Sequence, residues 1–169
     1  MAVPRPLLSI RPATADDVPL IRQLIGELAE YERLADAAVA TDDELRAQLF
    51  GAQPAAEVLI GEVDGEAAGF ALFFHNFSTF LGKRGLYLED LFVRPAFRGS
   101  GLGRHLMASL ARIAVQRDCG RFEWSVLDWN EPALEFYRSI GARPMEEWVR
   151  HRLAGSALLE FAASGASAQ

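Results

Sequence analysis

Between Val18 and Tyr31 apolar residues return every three or four positions (Val18, Ile21, Leu24, Ile25, Leu28), the period of a helix with one buried stripe. Thr14, with Asp17 three residues on, stands where a capping box would start that helix. Thr41 and Glu44 repeat the pattern ahead of a shorter helix through Leu45 and Leu49, and "LLSIRPA" before the first helix reads as a strand that Pro12 ends. From Glu57 the period changes. "EVLIGEVDGEAAGFALFFHNF" is two apolar stretches around Asp64-Gly65, a dipeptide suited to a tight hairpin turn. "GKRG" (82–85) predicts another turn, and "LYLEDLFV" (86–93) a strand stopped by Pro95. Helical spacing resumes at Leu102, Leu106, Leu110 and Ile113, after which "RFEWSVL" alternates with Phe122, Trp124 and Val126 on one side. "NEPALEFYRSIGA" reads as a compact helix capped by Asn130, with Pro132 in its first turn and Gly141 closing it. "EEWVRHRL" and "ALLEFA" are expected as two last strands around a "GS" turn. The order β-α-α-β-β-β-α-β-α-β-β predicts a mixed α/β sheet, mostly antiparallel with one local parallel pair.

The chain has 169 residues, half of them hydrophobic, which suits one domain over 1–162 and a low-complexity, flexible tail over 163–169. Its net charge of −6 disfavours a nucleic-acid partner and suits a cationic one. Cys119 is the only cysteine, so an intrachain disulfide is impossible and a reducing compartment is the simplest reading. No apolar run reaches the length of a membrane span, and the first residues lack a charged segment followed by an apolar one. A cytoplasmic protein without membrane partners is therefore expected. His75, His105 and His151 show no metal-ligand spacing, so no metal is expected.

Chemistry concentrates in "RPAFRGSGLGRHLM" (94–107), a glycine-rich turn between a strand and a helix. The first N–H groups of a helix lack intrahelical acceptors and sit at the positive end of its dipole, so such a turn suits a phosphate, with Arg98 and Arg104 adding charge. Glycines also serve plain tight turns. The dinucleotide fingerprint fails because its third glycine would fall at Arg104, and the nucleoside-triphosphate loop fails for want of its Lys-Ser/Thr pair.

Arg98-Gly99-Ser100-Gly101-Leu102-Gly103 resembles the Q/R-x-x-G-x-G/A motif of the GNAT superfamily of N-acetyltransferases. With "YLEDLFV" (87–93), "LDWNEPALEFYRSIGA" (127–142), "IRPATADD" and "ELAEYE", the chain is similar to the diamine (spermidine/spermine) branch, and equally to the thialysine branch, from Ile10 to Leu153. The resemblance implies the GNAT fold: a twisted, mostly antiparallel sheet with a splayed parallel strand pair and flanking helices. It implies acetyl-CoA as cofactor, held by Leu91, Phe92, Val93, Arg98, Gly99, Ser100, Gly101, Leu102, Gly103, Arg104, Asn130, Pro132, Ala133 and Tyr137. The reaction implied is acetylation of a small primary amine by direct transfer in a ternary complex.

Acetyl transfer needs an amine that has lost a proton and a proton for the departing thiolate. The resemblance makes Tyr137 the acid, although Phe136 and Tyr137 are also what an amphipathic helix would pack. Glu89 and Asp90 are adjacent, so in a regular strand they point to opposite faces and cannot share a pocket unless the strand is bulged. Glu89 is the first choice for the amine or a proton-carrying water, Asp90 the second. Tyr31, Glu32, Trp129, Glu146, Glu147 and Trp148 are candidates to bound a cationic pocket. Asn130 is read both as a helix cap and as a contact to the coenzyme arm.

One departure bears on the acceptor. Polyamine acetylators of the branch carry an acid and an aromatic where "FSTFLGK" (77–83) falls, and this chain has Ser78 and Phe80 there. A short diamine, or a lysine-like amino acid such as thialysine, becomes a rival to a long polyamine. A non-catalytic acyl-CoA-binding module and a protein or peptide N-acetyltransferase are the other readings. The branch also implies a homodimer, with the C-terminal strands across its interface.

Overall fold

The computed structural model describes residues 5–165, which form two compact units dividing after Ser125. In the first, a five-stranded sheet runs β1 (Leu8–Pro12), β2 (Glu57–Val63), β3 (Glu66–Ser78), β4 (Lys83–Val93) and β5 (Phe122–Trp124) in spatial order. All neighbours are antiparallel except β4 and β5. The expected α/β sheet with one parallel pair is what forms. Helices α1 (Val18–Tyr31) and α2 (Asp42–Phe50) precede β2, and α3 (Leu102–Gln116) joins β4 to β5.

A helix of about fourteen residues is marginal alone, so the stripe that it buries decides whether it forms. Ile21, Leu24 and Leu28 of α1 and Leu49 of α2 close one core with Val58, Ile60, Phe70 and Phe92 of the sheet. Each such burial stabilises by roughly 1.5–3 kcal/mol. The opposite sheet face receives α3: a Cβ at Gly61 would strike the buried Leu102 side chain. Local signals hold where they were read. Thr41 and Glu44 exchange the two capping bonds, at 3.2 and 2.8 Å, and the Thr14 N–H donates to Asp17 at 2.7 Å. Asp64 (φ 53) and Gly65 (φ 83) make the β2–β3 turn.

Three boundaries differ from expectation. The second hairpin turn lies at 79–82, and β4 begins at Lys83, because Ser78 already pairs with Lys83. The strand read through Val126 is confined to Phe122–Trp124, since β4 offers it only Leu86, Tyr87 and Leu88 as partners. Beyond Leu88, β4 continues with no β5 partner.

The second unit, from Val126, holds α4 (Glu131–Ser139) and α5 (Gly155–Ser164). The two expected C-terminal strands are not formed: residues 148–154 have no regular structure and "ALLEFA" lies inside α5. Ala, Leu and Glu favour a helix over a strand, and nothing β-branched follows Val149 to oppose them. Of the expected tail, Ala163 and Ser164 end α5, and 166–169 lie outside the described residues. Gly141 (φ 85) closes α4 as read, its N–H on the Arg138 carbonyl and the Ala142 N–H on that of Tyr137. Asn130 makes no side-chain capping bond; only its carbonyl joins the helix, accepting from Leu134.

Gly69 in β3 lies beside the end of β4, where a Cβ would run into the Phe92 carbonyl oxygen. Backbone cannot yield as a flexible side chain does, so Gly69→Ala is expected to destabilise the fold by about 2–4 kcal/mol. Urea denaturation of the variant checks this, and a loss below about 1 kcal/mol would contradict it.

Candidate active site

The glycine turn follows β4 through a short helical turn, Pro95–Phe97, and delivers the chain to α3. Gly99 (φ 81) and Gly101 (φ 92) both take the left-handed conformation, Gly101 as the residue that precedes the helix. A side chain would strain either position. The Ser100 hydroxyl accepts from the Leu102 N–H at 3.3 Å, and the His105 N–H closes onto the Gly101 carbonyl at 3.0 Å. The loop thus opens a fifteen-residue helix with its first amides at the positive pole of the dipole. Among the residues predicted to touch a cofactor, Phe92 and Leu102 have buried side chains committed to the core, so only their main chain is available to a ligand.

Arg98 makes two contacts within the protein. Its guanidinium carbon lies 4.5 Å from the Tyr31 ring centroid, and its Nε donates to the Val93 carbonyl at 3.2 Å. Four residues earlier, Arg94 forms a bidentate pair with Glu27 of α1, at 2.8 and 2.9 Å, and donates to the Ala67 carbonyl. The pair holds the Glu27 carboxyl below its ordinary pKa. Sequence reasoning missed both contacts. They join segments 67 residues apart, and no local pattern announces them.

The carboxylates meet where β4 is irregular. Asp90 faces Leu72 and Leu88 faces Phe73, so Glu89 is an extra residue in β4: a bulge. The register puts Asp90 and Phe92 on the face of the sheet that packs α1, while Leu88 turns to the α3 face. The condition on which both acids could share one side of the strand is therefore met. Asp90 is half-buried and Glu89 exposed. Burial, then the charge of Glu89, then that of Glu32 push the Asp90 carboxyl up to about 6. Glu32, just past the end of α1, is itself raised by burial. Asp90 thus feels two like charges, and a cation beside it would relieve them. Tyr31 adds a ring beside them, 6.5 Å from that of Phe92.

In the second unit, Pro132 and Ala133 lie in the first turn of α4, with Asn130 before it and Tyr137 in its last half. The Tyr137 ring stacks obliquely on Phe136 at 5.5 Å, and burial raises its phenol above the ordinary tyrosine pKa. Trp129, Glu146, Glu147 and Trp148 are exposed.

The model of the acetyltransferase (GNAT) family matches residues 22–142. The chain belongs to the GNAT acetyltransferase family. It is 37% identical to the thialysine N-epsilon-acetyltransferase of Sus scrofa, over 90% of this chain and 96% of that one. It is 35% identical to an L-ornithine N5-acetyltransferase of Arabidopsis thaliana, over 88% and 85% of the two chains. Among solved structures, an integron cassette protein from V. cholerae superposes with a TM-score of 0.78 at 29% identity, covering 92% of this chain and 97% of that one.

As a GNAT acetyltransferase, the chain is an enzyme rather than a binding module. Among its described residues, no three His, Cys, Asp or Glu side chains are arranged to hold a metal ion, and no helix is long and apolar enough to cross a membrane. The left-handed glycines, the helix start that they open and the β4 edge left without a β5 partner fit a long ligand with a diphosphate at one end.

Proposed function

We propose that the chain moves the acetyl group of acetyl-CoA onto the terminal amine of a small ω-amino acid resembling lysine or ornithine, or of a short diamine, directly and without an acetylated enzyme. The observation that carries this reading is the bulge at Glu89, which turns Asp90 to the α1 face of the sheet, where burial and the charges of Glu89 and Glu32 raise its carboxyl. The diphosphate is assigned to the main-chain amides of Gly99 to Gly103 and to Arg104, and the pantetheine arm to the main chain of Leu91 to Val93 with Asn130, Pro132 and Ala133. When bound, acetyl-CoA supplies an activated thioester.

The other parts belong to the protein. The carboxylates attract the ammonium group and accept its proton, directly or through water, with Asp90 taking precedence over Glu89 because it is the more buried. Tyr31 bounds the acceptor; Trp129, Glu146 and Trp148, in the second unit, are exposed groups of the kind that attract a cation. Tyr137, whose burial keeps the phenol protonated, is the proton donor.

Two features support a short acceptor. Ser78 is buried (6% exposed) and Phe80 is almost fully in solvent (98%), so the β3–β4 turn presents no acid for a distant second ammonium. The relatives named for thialysine and ornithine point the same way. Thiol release from acetyl-CoA is expected with thialysine, lysine and ornithine, at kcat/KM values above those for spermidine and spermine. Release with polyamines alone would reverse the acceptor assignment, and no release with any amine would overturn the reading.

We also propose a cytoplasmic homodimer. The apolar residues that α5 leaves exposed, Leu158, Leu159 and Phe161, support a covered face there. Sedimentation as a monomer at micromolar concentration would contradict it.

A further inference from the structure

Arg94, the first residue after β4, is held from three sides. Its N–H donates to the Ala68 carbonyl at 2.8 Å, and its Nη1 to the Ala67 carbonyl at 2.8 Å. Its Nε and Nη2 donate to the two carboxylate oxygens of Glu27 on α1, at 2.8 and 2.9 Å. One turn earlier on α1, the Gln23 side-chain amide donates to Glu27 at 2.9 Å and orients that carboxylate. The paired side chains are largely out of water, 19% exposed for Arg94 and 30% for Glu27, so this bidentate pair is worth more than a surface one.

From Arg94 the chain reaches the glycine turn through consecutive tight turns. The Phe97 N–H donates to the Arg94 carbonyl at 2.9 Å, the Arg98 N–H to that of Pro95 at 3.2 Å, and the Ser100 N–H to that of Phe97 at 3.3 Å. Such local bonds keep the shape of the segment without locating it, and none of Pro95, Ala96 and Phe97 is buried. Helix α1, by contrast, is located by Val18, Ile21 and Leu24, all fully buried. The helix is the fixed member of the pair, and the turn is the movable one.

We propose that Arg94 is a positioning residue for the coenzyme site: anchored by Glu27, it fixes the origin of the glycine turn and so the place where the amides of Gly99 to Gly103 stand. The inference rests on the assignment of the diphosphate to those amides. Without the anchor the turn keeps its local bonds but holds its binding position for only part of the time. The apparent Kd for coenzyme A then rises by the inverse of that fraction.

The test compares Glu27→Ala, Arg94→Met and their double variant with Glu27→Gln, which can keep one of the two hydrogen bonds. Glu57→Ala is the matched control. It breaks another bidentate pair, with Arg117 just after α3, at 2.6 and 2.9 Å. Calorimetry gives the Kd for coenzyme A at a temperature where circular dichroism shows each variant folded. Hydrogen exchange on the free protein follows the amides of Phe97, Arg98 and Ser100. Glu27→Ala and Arg94→Met should each raise the coenzyme Kd about three- to tenfold, as for a turn in place about a tenth to a third of the time. The amine KM and the kcat at saturation should stay within about twofold. The double variant should show no more than the larger single effect, since both break one contact. Glu27→Gln should fall between parent and Glu27→Ala. Exchange at the three amides should quicken in both single variants, with the middle of α3 unchanged. Glu57→Ala should lose stability and leave the Kd and those three amides as in the parent.

A parent-like Kd in Glu27→Ala would reduce the pair to a structural one and overturn the proposal. An equal rise in Glu57→Ala would do the same, by showing a general effect of lost stability. If the parent binds no coenzyme A, the assignment of the diphosphate fails. Exchange still decides the anchor: unaltered protection of the three amides in both single variants would overturn it.

Discussion

Tyr137→Phe is expected to leave the Kd for coenzyme A within about twofold and to lower kcat at saturating amine by roughly two to four powers of ten, the range over which a positioned proton donor acts. The substitution keeps the ring that rests on Phe136 at 5.5 Å, so the helix should not lose its packing. What disappears is one hydroxyl. Burial raises its pKa, so the phenol holds its proton throughout the range in which enzymes are assayed, and the loss should be nearly the same from pH 6 to pH 9. Turnover of the variant across that range is the measurement. Unchanged kcat would remove Tyr137 from the proton-donor role, and a loss confined to coenzyme affinity would reassign it to binding.

Asp90→Asn should act on stability and on activity with opposite signs. The carboxyl ionises near 3.8 when free and is pushed up to about 6 in the fold. Well below pH 3.8 both folded and unfolded chains hold its proton, and stability is not affected by it. As the pH rises toward 6 the unfolded chain releases the proton first, so the fold loses stability; above 6 that loss is complete. An asparagine has no such proton. The variant should match the parent near pH 3.5 and exceed it at pH 8 by about 1 to 3 kcal/mol, in urea denaturation at both values. Its kcat/KM for the amine should fall about ten- to a thousandfold, and the acid limb of the parent profile near pH 6 should vanish. A variant less stable than the parent at pH 8 would show that the site does not strain Asp90. Equal activity would show that Glu89 carries the chemistry instead. Such a trade is usual where a fold keeps an ionisable group buried for use.

How the bulge arises shows what a sequence can and cannot disclose. Glu89 and Asp90 are plainly adjacent acids, and alternation assigns them to opposite faces. What lets them share a side is one extra residue in β4 against β3, set by pairing between Phe73 and Leu88 on one flank and Leu72 and Asp90 on the other. Long-range register chooses among near-equal pairings, and no single strand contains that choice. The C-terminal segment failed for a related reason. A weak alternation in "EEWVRHRL" and "ALLEFA" suggested strands, but a strand exists only if an edge receives it, and the second stretch is made of helix formers.

What needs only near neighbours was already legible: capping pairs at Thr14 and Thr41, the Asp64-Gly65 turn, the stripes of α1 and α3, the glycine turn and the family to which it belongs. Each rests on interactions within four or five residues, where composition dictates geometry. The bulge at Glu89, the raised Asp90 and the contacts of Arg94 and Arg98 with α1 arose when segments distant in the chain packed together. Charge, burial and hydrogen bonding across such distances depend on where the other segment comes to rest, and that position is a property of the whole core.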